Sequence, residues 1–190
     1  MERRELLKMI ALVTGGAVIG GEFFLAGCKN PEKGNGLTFT DDDIAFLDEV
    51  AETILPKTGS AGAKEAKVGL FMKVWVNDCY TREDQENFHA GMKKLDEACD
   101  KMHGTGFMKA SPEQRTSLLV ALDKERAEYQ KNKQKEDPNH YFQYMKQLTI
   151  MGYFTSKEGR TTALRYEPVP GKYIGDLDYK KGDKLFAGLN

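Results

Sequence analysis

Apolar residues return every three to four positions along most of the chain, the mark of amphipathic helices. Thr40-Asp41-Asp42-Asp43 supplies an N-cap followed by acid in the first turn, and Ile44, Leu47, Val50, Ala51 and Ile54 then recur at helical spacing. Pro56 ends that run, and Thr58 to Gly62 reads as a loop. A second helix is expected from about Lys64 to Asn77, with Val68, Phe71, Val74 and Trp75 on its apolar face. Thr81 and Asp84 form a capping pair ahead of a third helix. Its stripe is Phe88, Met92, Leu95, Cys99 and Met102, and Gly104 is its C-cap. Ser111-Pro112-Glu113-Gln114 places an N-cap, a Pro at N1 and a Gln at N3, and starts a fourth helix carrying Leu118, Leu119, Leu122 and Tyr129. Lys131 to Asn139 is a charged connection. A fifth helix begins near Pro138 and carries Tyr141, Tyr144, Met145, Leu148 and Met151.

The pattern changes between Gly152 and Tyr173. Tyr153 and Phe154 close the last apolar run, and Thr155 with Glu158 can cap a short sixth helix. That helix cannot pass Glu167, because Pro168 disfavours helical geometry in the residue before it. Pro168-Val169-Pro170-Gly171 then favours an extended chain. A ribbon of aromatic and proline residues therefore leaves the helical body. It can pack back on its own core or lie on a partner. No period-2 strand, internal repeat or heptad run is found. The expected fold is all-α, a single bundle-like domain of five to six helices over 40–190 with an extended, Pro-containing C-terminal tail.

The first 27 residues read as an export signal. Arg3 and Arg4 precede Leu6-Leu7-Lys8, as in a twin-arginine signal. The apolar stretch Met9 to Gly21 is too short and Gly-rich for a permanent span, and Glu22 interrupts it. Leu25-Ala26-Gly27-Cys28 has the form of a bacterial lipoprotein box, with Cys28 as the lipidated residue. Residues 28–39 read as a flexible tether. These readings place the protein in the cell envelope, lipid-anchored on the periplasmic side of a bacterial membrane.

Composition narrows the chemistry. The chain has 190 residues, 40% apolar and 30% charged, which suits one helical domain with solvated faces. Its net charge is −1, and removing the signal leaves that unchanged, so there is no basic footprint for nucleic acid. Cys79 lies near the turn between helices two and three, and Cys99 about 18 residues along helix three, roughly 25 Å away at ~1.5 Å per residue. A disulfide needs Cα atoms within about 7 Å, so buried thiols, or for Cys79 contact with a partner, are the better reading. Cys99 and His103 share a helix face but supply only two ligands, fewer than a zinc site needs. There is no haem-attachment motif, P-loop, dinucleotide turn or nucleophile elbow, and no catalytic residue is assigned.

The C-terminal run Gly-Tyr-Phe-Thr-Ser, with Ala163-Leu164 and then Tyr166-Glu167-Pro168-Val169-Pro170-Gly171-Lys172-Tyr173, resembles the subunit 3 family of gluconate 2-dehydrogenase. Ile54-Leu55-Pro56, Gly62-Ala63-Lys64 and Asp78-Cys79-Tyr80 are similar to that family too, so the resemblance covers Phe39 to Tyr173. It implies a non-catalytic accessory subunit of a membrane-bound dehydrogenase of sugars or sugar acids, with no cofactor on this chain. The resemblance puts FAD in a large glucose-methanol-choline-type subunit, and haem in a cytochrome c subunit where one exists. This chain would bind the flavoprotein and aid its maturation and twin-arginine export. The expected partner interface is Tyr153, Phe154, Arg165, Tyr166, Glu167, Pro168, Pro170 and Tyr173. The alternative is a lipid-anchored binding module or a small hydrolase unrelated to dehydrogenases.

Overall fold

A computed structural model of the chain describes residues 37–169, 171–172 and 174–187. Arg3, Arg4, Cys28, Pro170 and Tyr173 lie outside the described residues. From Phe39 on, the chain folds as one compact unit. Its helices are α1 (Asp41–Ile54), α2 (Val68–Cys79), α3 (Arg82–His103), α4 (Pro112–Asn132) and α5 (Tyr141–Thr155). A 3-10 turn at Phe107–Lys109 links α3 to α4, and a π turn at Gly159–Ala163 follows α5. The fold is all-helical, as the apolar spacing predicts.

The starts of α1, α3 and α4 follow from local chemistry. Thr40 and Asp43 exchange side-chain and backbone hydrogen bonds in a full capping box, and Ser111 and Gln114 do the same with Pro112 at N1. Thr81 accepts from the backbone of Asp84. α3 ends on Gly104, whose φ of 69° lies in the left-handed region.

α5 is the central helix and packs on the other four. It buries Phe142, Met145, Leu148 and Thr149 on consecutive turns. Phe46, Leu47 and Val50 from α1, Met72 and Val76 from α2, Phe88, Leu95 and Cys99 from α3, and Leu118 and Leu122 from α4 complete the core. Burying side chains of this size stabilises a fold by about 1.5–3 kcal/mol each.

Several expectations need correction. α2 begins at Val68, not Lys64, because Lys67 turns into the left-handed region at φ 54°. Its inward face is Val68, Met72 and Val76; Val74 points outward, and Phe71 and Trp75 are only half-buried. Met102 leaves the α3 stripe and is exposed. α5 begins at Tyr141, where His140 Nδ1 accepts the Phe142 N–H at 3.2 Å. Phe39, assigned to the tether, is buried, with its ring centroid 6.0 Å from Phe88. The short sixth element is a π turn with no side-chain cap of its own, and Ser156 rather than Thr155 holds the turn that leads into it: Ser156 Oγ accepts the Gly159 N–H at 2.9 Å. Thr155 instead donates back to Met151 within α5, at 2.7 Å. Two strands of two residues each also form, unforeseen by periodicity. β1 (Arg165–Tyr166) pairs in parallel with β2 (Phe186–Ala187).

Candidate functional site

The C-terminal ribbon leaves the body at a junction of three segments: the loop 55–67, the end of α5 and the π turn. Glu52 holds the loop from within. Its carboxylate accepts the Lys57 and Lys64 N–H groups, each at 2.8 Å. A Cβ on Gly62 would lie 2.3 Å from that carboxylate, so a larger residue there would push the Glu52 carboxylate off the loop amides it holds. Glu49 pairs with Lys64 and, at 2.6 Å, with Arg115, which joins α1 to α4. The hydrogen bond from Lys64, with the charges of Lys64 and Arg115, outweighs burial and holds the Glu49 carboxyl below its usual range.

Tyr153 ties α5 to the loop. It is 4% exposed, and its hydroxyl donates to the Ala61 carbonyl at 2.6 Å. The Ala61 N–H in turn donates to Thr162 Oγ1 at 3.3 Å, which brings the π turn onto the same loop. Gly159 is obligatory at this junction, since a Cβ there would stand 2.0 Å from the Tyr153 carbonyl oxygen. The sequence placed Tyr153 at a partner interface. The structure places it inside, as a clamp beneath that surface.

Beyond the clamp the chain turns outward. Arg165, Tyr166, Pro168 and Val169 are exposed, Val169 at 77%, and Glu167 is partly so. The ribbon does not seal the helical core, as self-packing would require. It is held by its own C-terminal return: the Arg165 N–H donates to the Leu185 carbonyl at 2.9 Å and Lys184 Nζ to the Thr162 carbonyl at 2.6 Å. The Arg165 guanidinium lies 4.6 Å from the Phe186 ring centroid. Ribbon and return enclose a groove of about 820 Å³, lined by Leu164, Tyr166, Leu177, Tyr179 and Phe186 among others. Among the described residues, the half-buried Arg160 Nε has no hydrogen-bond partner.

Of the residues expected at a partner interface, Phe154, Arg165, Tyr166 and Pro168 are exposed and Glu167 is partly so. Sequence reasoning missed Ile174, Leu177, Tyr179, Leu185 and Phe186, all exposed. The apolar triplet Leu185-Phe186-Ala187 after a charged stretch was the available signal.

Cys79 is exposed and Cys99 buried, and both are free thiols. Burial pushes the Cys99 thiol up, away from the thiolate a metal would require. Among the described residues no group of three or more His, Cys, Asp or Glu could hold a metal ion. No described helix is long and apolar enough to cross a membrane.

No curated protein and no solved structure matches the chain. The profile of one family, gluconate 2-dehydrogenase subunit 3, matches residues 41–171, from the first residue of α1 to the glycine that ends the proline run. The chain belongs to the gluconate 2-dehydrogenase subunit 3 family, whose name marks it as a subunit of a dehydrogenase complex.

Proposed function

We propose that this chain is the non-catalytic accessory subunit of a membrane-anchored, FAD-dependent dehydrogenase of the glucose-methanol-choline type, acting on a sugar or sugar acid. The flavin belongs to the large subunit, and haem c to a third subunit in complexes that have one. The observation that carries the reading is the ribbon. It presents Tyr166, Pro168 and Val169 to solvent from a junction locked by Tyr153 and Glu52. Tyrosine and arginine are enriched among residues that carry binding energy, and a pre-ordered proline segment loses less entropy on docking.

Arg3 and Arg4 address the chain to the twin-arginine route, which moves folded proteins. A flavoprotein that folds around FAD before export can cross bound to such a carrier. Lipid on Cys28 then holds the complex at the periplasmic side of the membrane. Co-expression tests the reading directly. The flavoprotein should co-purify with this chain and reach the periplasm only when the chain and its Arg3-Arg4 pair are present. Export of the flavoprotein at the wild-type level without this chain would refute the carrier role. Flavin bound stoichiometrically to the isolated chain would refute its accessory nature.

A further inference from the structure

Arg160 is a half-buried cation that the fold leaves without an anion. Among the described residues three arginines are half-buried: Arg115, Arg126 and Arg160. Arg115 pairs with Glu49 at 2.6 Å, and Arg126 with Asp123 at 2.7 Å. Arg115 also donates to the Phe107 and Met108 carbonyls, and Arg126 to Gln143 Oε1. The exposed Arg82 and Arg165 have Glu86 and Glu167 within reach. Arg160 has no ion pair among the described residues, and its Nε is closed to solvent with no acceptor. A charged donor removed from water and given no acceptor is a standing cost.

The turn that carries Arg160 is already tied down. Ser156 Oγ accepts the Gly159 N–H, and the Arg160 N–H donates to the Ser156 carbonyl at 3.1 Å. Thr161 and Thr162 turn their hydroxyls back to the Lys157 and Glu158 carbonyls, at 2.8 and 2.7 Å. The Leu164 N–H closes on the Gly159 carbonyl at 3.1 Å. Of the polar side chains in Gly159–Ala163, both threonines are satisfied and Arg160 is not. π turns recur at functional sites, and a donor held in place before docking loses less entropy when it docks.

Charge selects the occupant. Gly159 to Tyr166 holds two arginines and no carboxylate, and the Lys184 ammonium comes to the Thr162 carbonyl at 2.6 Å. A planar fork of donors in such a place matches a carboxylate through two parallel hydrogen bonds. A second copy fits poorly, because a two-fold contact centred on this stretch would set arginine against arginine. A membrane fits poorly too. Anionic lipid is held by clusters of about four to eight Lys and Arg, whereas here Asp178 and Asp183 line the groove beside Arg165 and Lys184. β1 starts at Arg165, just beyond the turn, so a protein seated on the ribbon reaches Arg160.

Given the accessory-subunit reading, we infer that Arg160 binds a carboxylate side chain of the FAD-binding dehydrogenase subunit and sets the register of the ribbon on it. The test is titration of the detergent-solubilised full-length chain with the flavoprotein, read by flavin absorbance at low and at high salt. Wild type, Arg160→Met, Arg160→Lys and Lys157→Met are compared. Arg160→Met should weaken binding at least about thirtyfold. Arg160→Lys keeps the charge but loses the fork, and should fall between Arg160→Met and the wild type. Lys157→Met, at an exposed neighbouring cation, should bind as the wild type does. Added salt should weaken the wild type more than Arg160→Met. Melting midpoints should match the wild type in every variant, because the Arg160 guanidinium holds nothing within the described chain. Wild-type affinity in Arg160→Met overturns the inference and leaves the accessory reading standing. Equal losses in Arg160→Met and Lys157→Met also overturn it, in favour of diffuse basic attraction. A lower midpoint in both Arg160 variants, with wild-type affinity once folded, makes the residue structural and overturns it too. No binding by the wild type ends the accessory reading and this inference together. Binding of inorganic phosphate or anionic vesicles, or self-association, by the isolated chain and lost in Arg160→Met would give the guanidinium to a small anion, to lipid or to a second copy, and would overturn the inference.

Discussion

Replacing Tyr153 by Phe removes one oxygen from the junction and nothing else. The hydroxyl donates to the Ala61 carbonyl at 2.6 Å, and both residues are buried, so water does not take its place. A buried acceptor left without its donor costs about 1–3 kcal/mol. Taking about 2 kcal/mol, and about 2–4 °C per kcal/mol for a domain of this size, the melting midpoint should fall by about 4–8 °C. The assay is a far-ultraviolet circular-dichroism melt of wild type and Tyr153→Phe, paired with flavoprotein binding well below both midpoints. The clamp reading expects a lower midpoint and unchanged binding once the chain is folded. An unchanged midpoint with weakened binding would refute it, and would put the hydroxyl at the partner surface.

Truncation after Leu164 should leave the midpoint of the helical body near that of the wild type, since the ribbon and its return are exposed, and should abolish flavoprotein association. A large fall in the midpoint would show that the ribbon belongs to the core. Cys28→Ser should stop incorporation of labelled fatty acid and release the chain from the membrane fraction, because stable anchoring needs more than one acyl chain. Glu49→Gln tests the junction by pH. The folded carboxyl sits below its ordinary 4.5, so its contribution is fully present above about pH 4.5 and is lost as pH falls through the folded value. The variant should melt lower than the wild type at pH 7 and converge with it in acid, and a difference that persists unchanged into acid would exclude the ion pairs as its source.

What was legible in the sequence was local. Thr40, Thr81, Ser111 and Gly104 act within four residues of themselves, so their caps are written in adjacent letters. The phase of α2 is not local. Val68, Leu70, Phe71, Met72, Val74, Trp75 and Val76 make the helix apolar nearly all round, and spacing alone cannot choose an inward face. A contact at a distance chooses it. The Gly69 N–H donates to Asp48 on α1 at 2.7 Å, and a Cβ on Gly69 would meet the Ile44 carbonyl at 2.6 Å. That crossing turns Val68, Met72 and Val76 inward and leaves Leu70 and Val74 outside. The ribbon was legible because proline restricts its own neighbours. Its return was not, because a two-residue parallel pairing between positions 165 and 186 leaves no periodic trace.

The same distinction separates the residues that build the site from those that display it. Tyr153 and Phe154 are adjacent and both aromatic, and sequence reasoning gave them one role. On a helix they point about 100° apart. Tyr153 therefore enters the junction and meets Ala61, while Phe154 stays exposed. One residue fixes where the ribbon begins, and the next belongs to the surface beside it. The family match spans loop, clamp and ribbon together and stops at Gly171, before the return strand. The matched segment thus contains the loop and the clamp from which the ribbon starts. The return adds hold on Arg165 through Leu185 and Phe186. A partner that docks on the ribbon meets a base held by the Tyr153 and Glu52 hydrogen bonds and by the short ladder at Arg165 and Tyr166. Its specificity would then rest on Tyr166 and Pro168 at that base more than on the residues after Gly171.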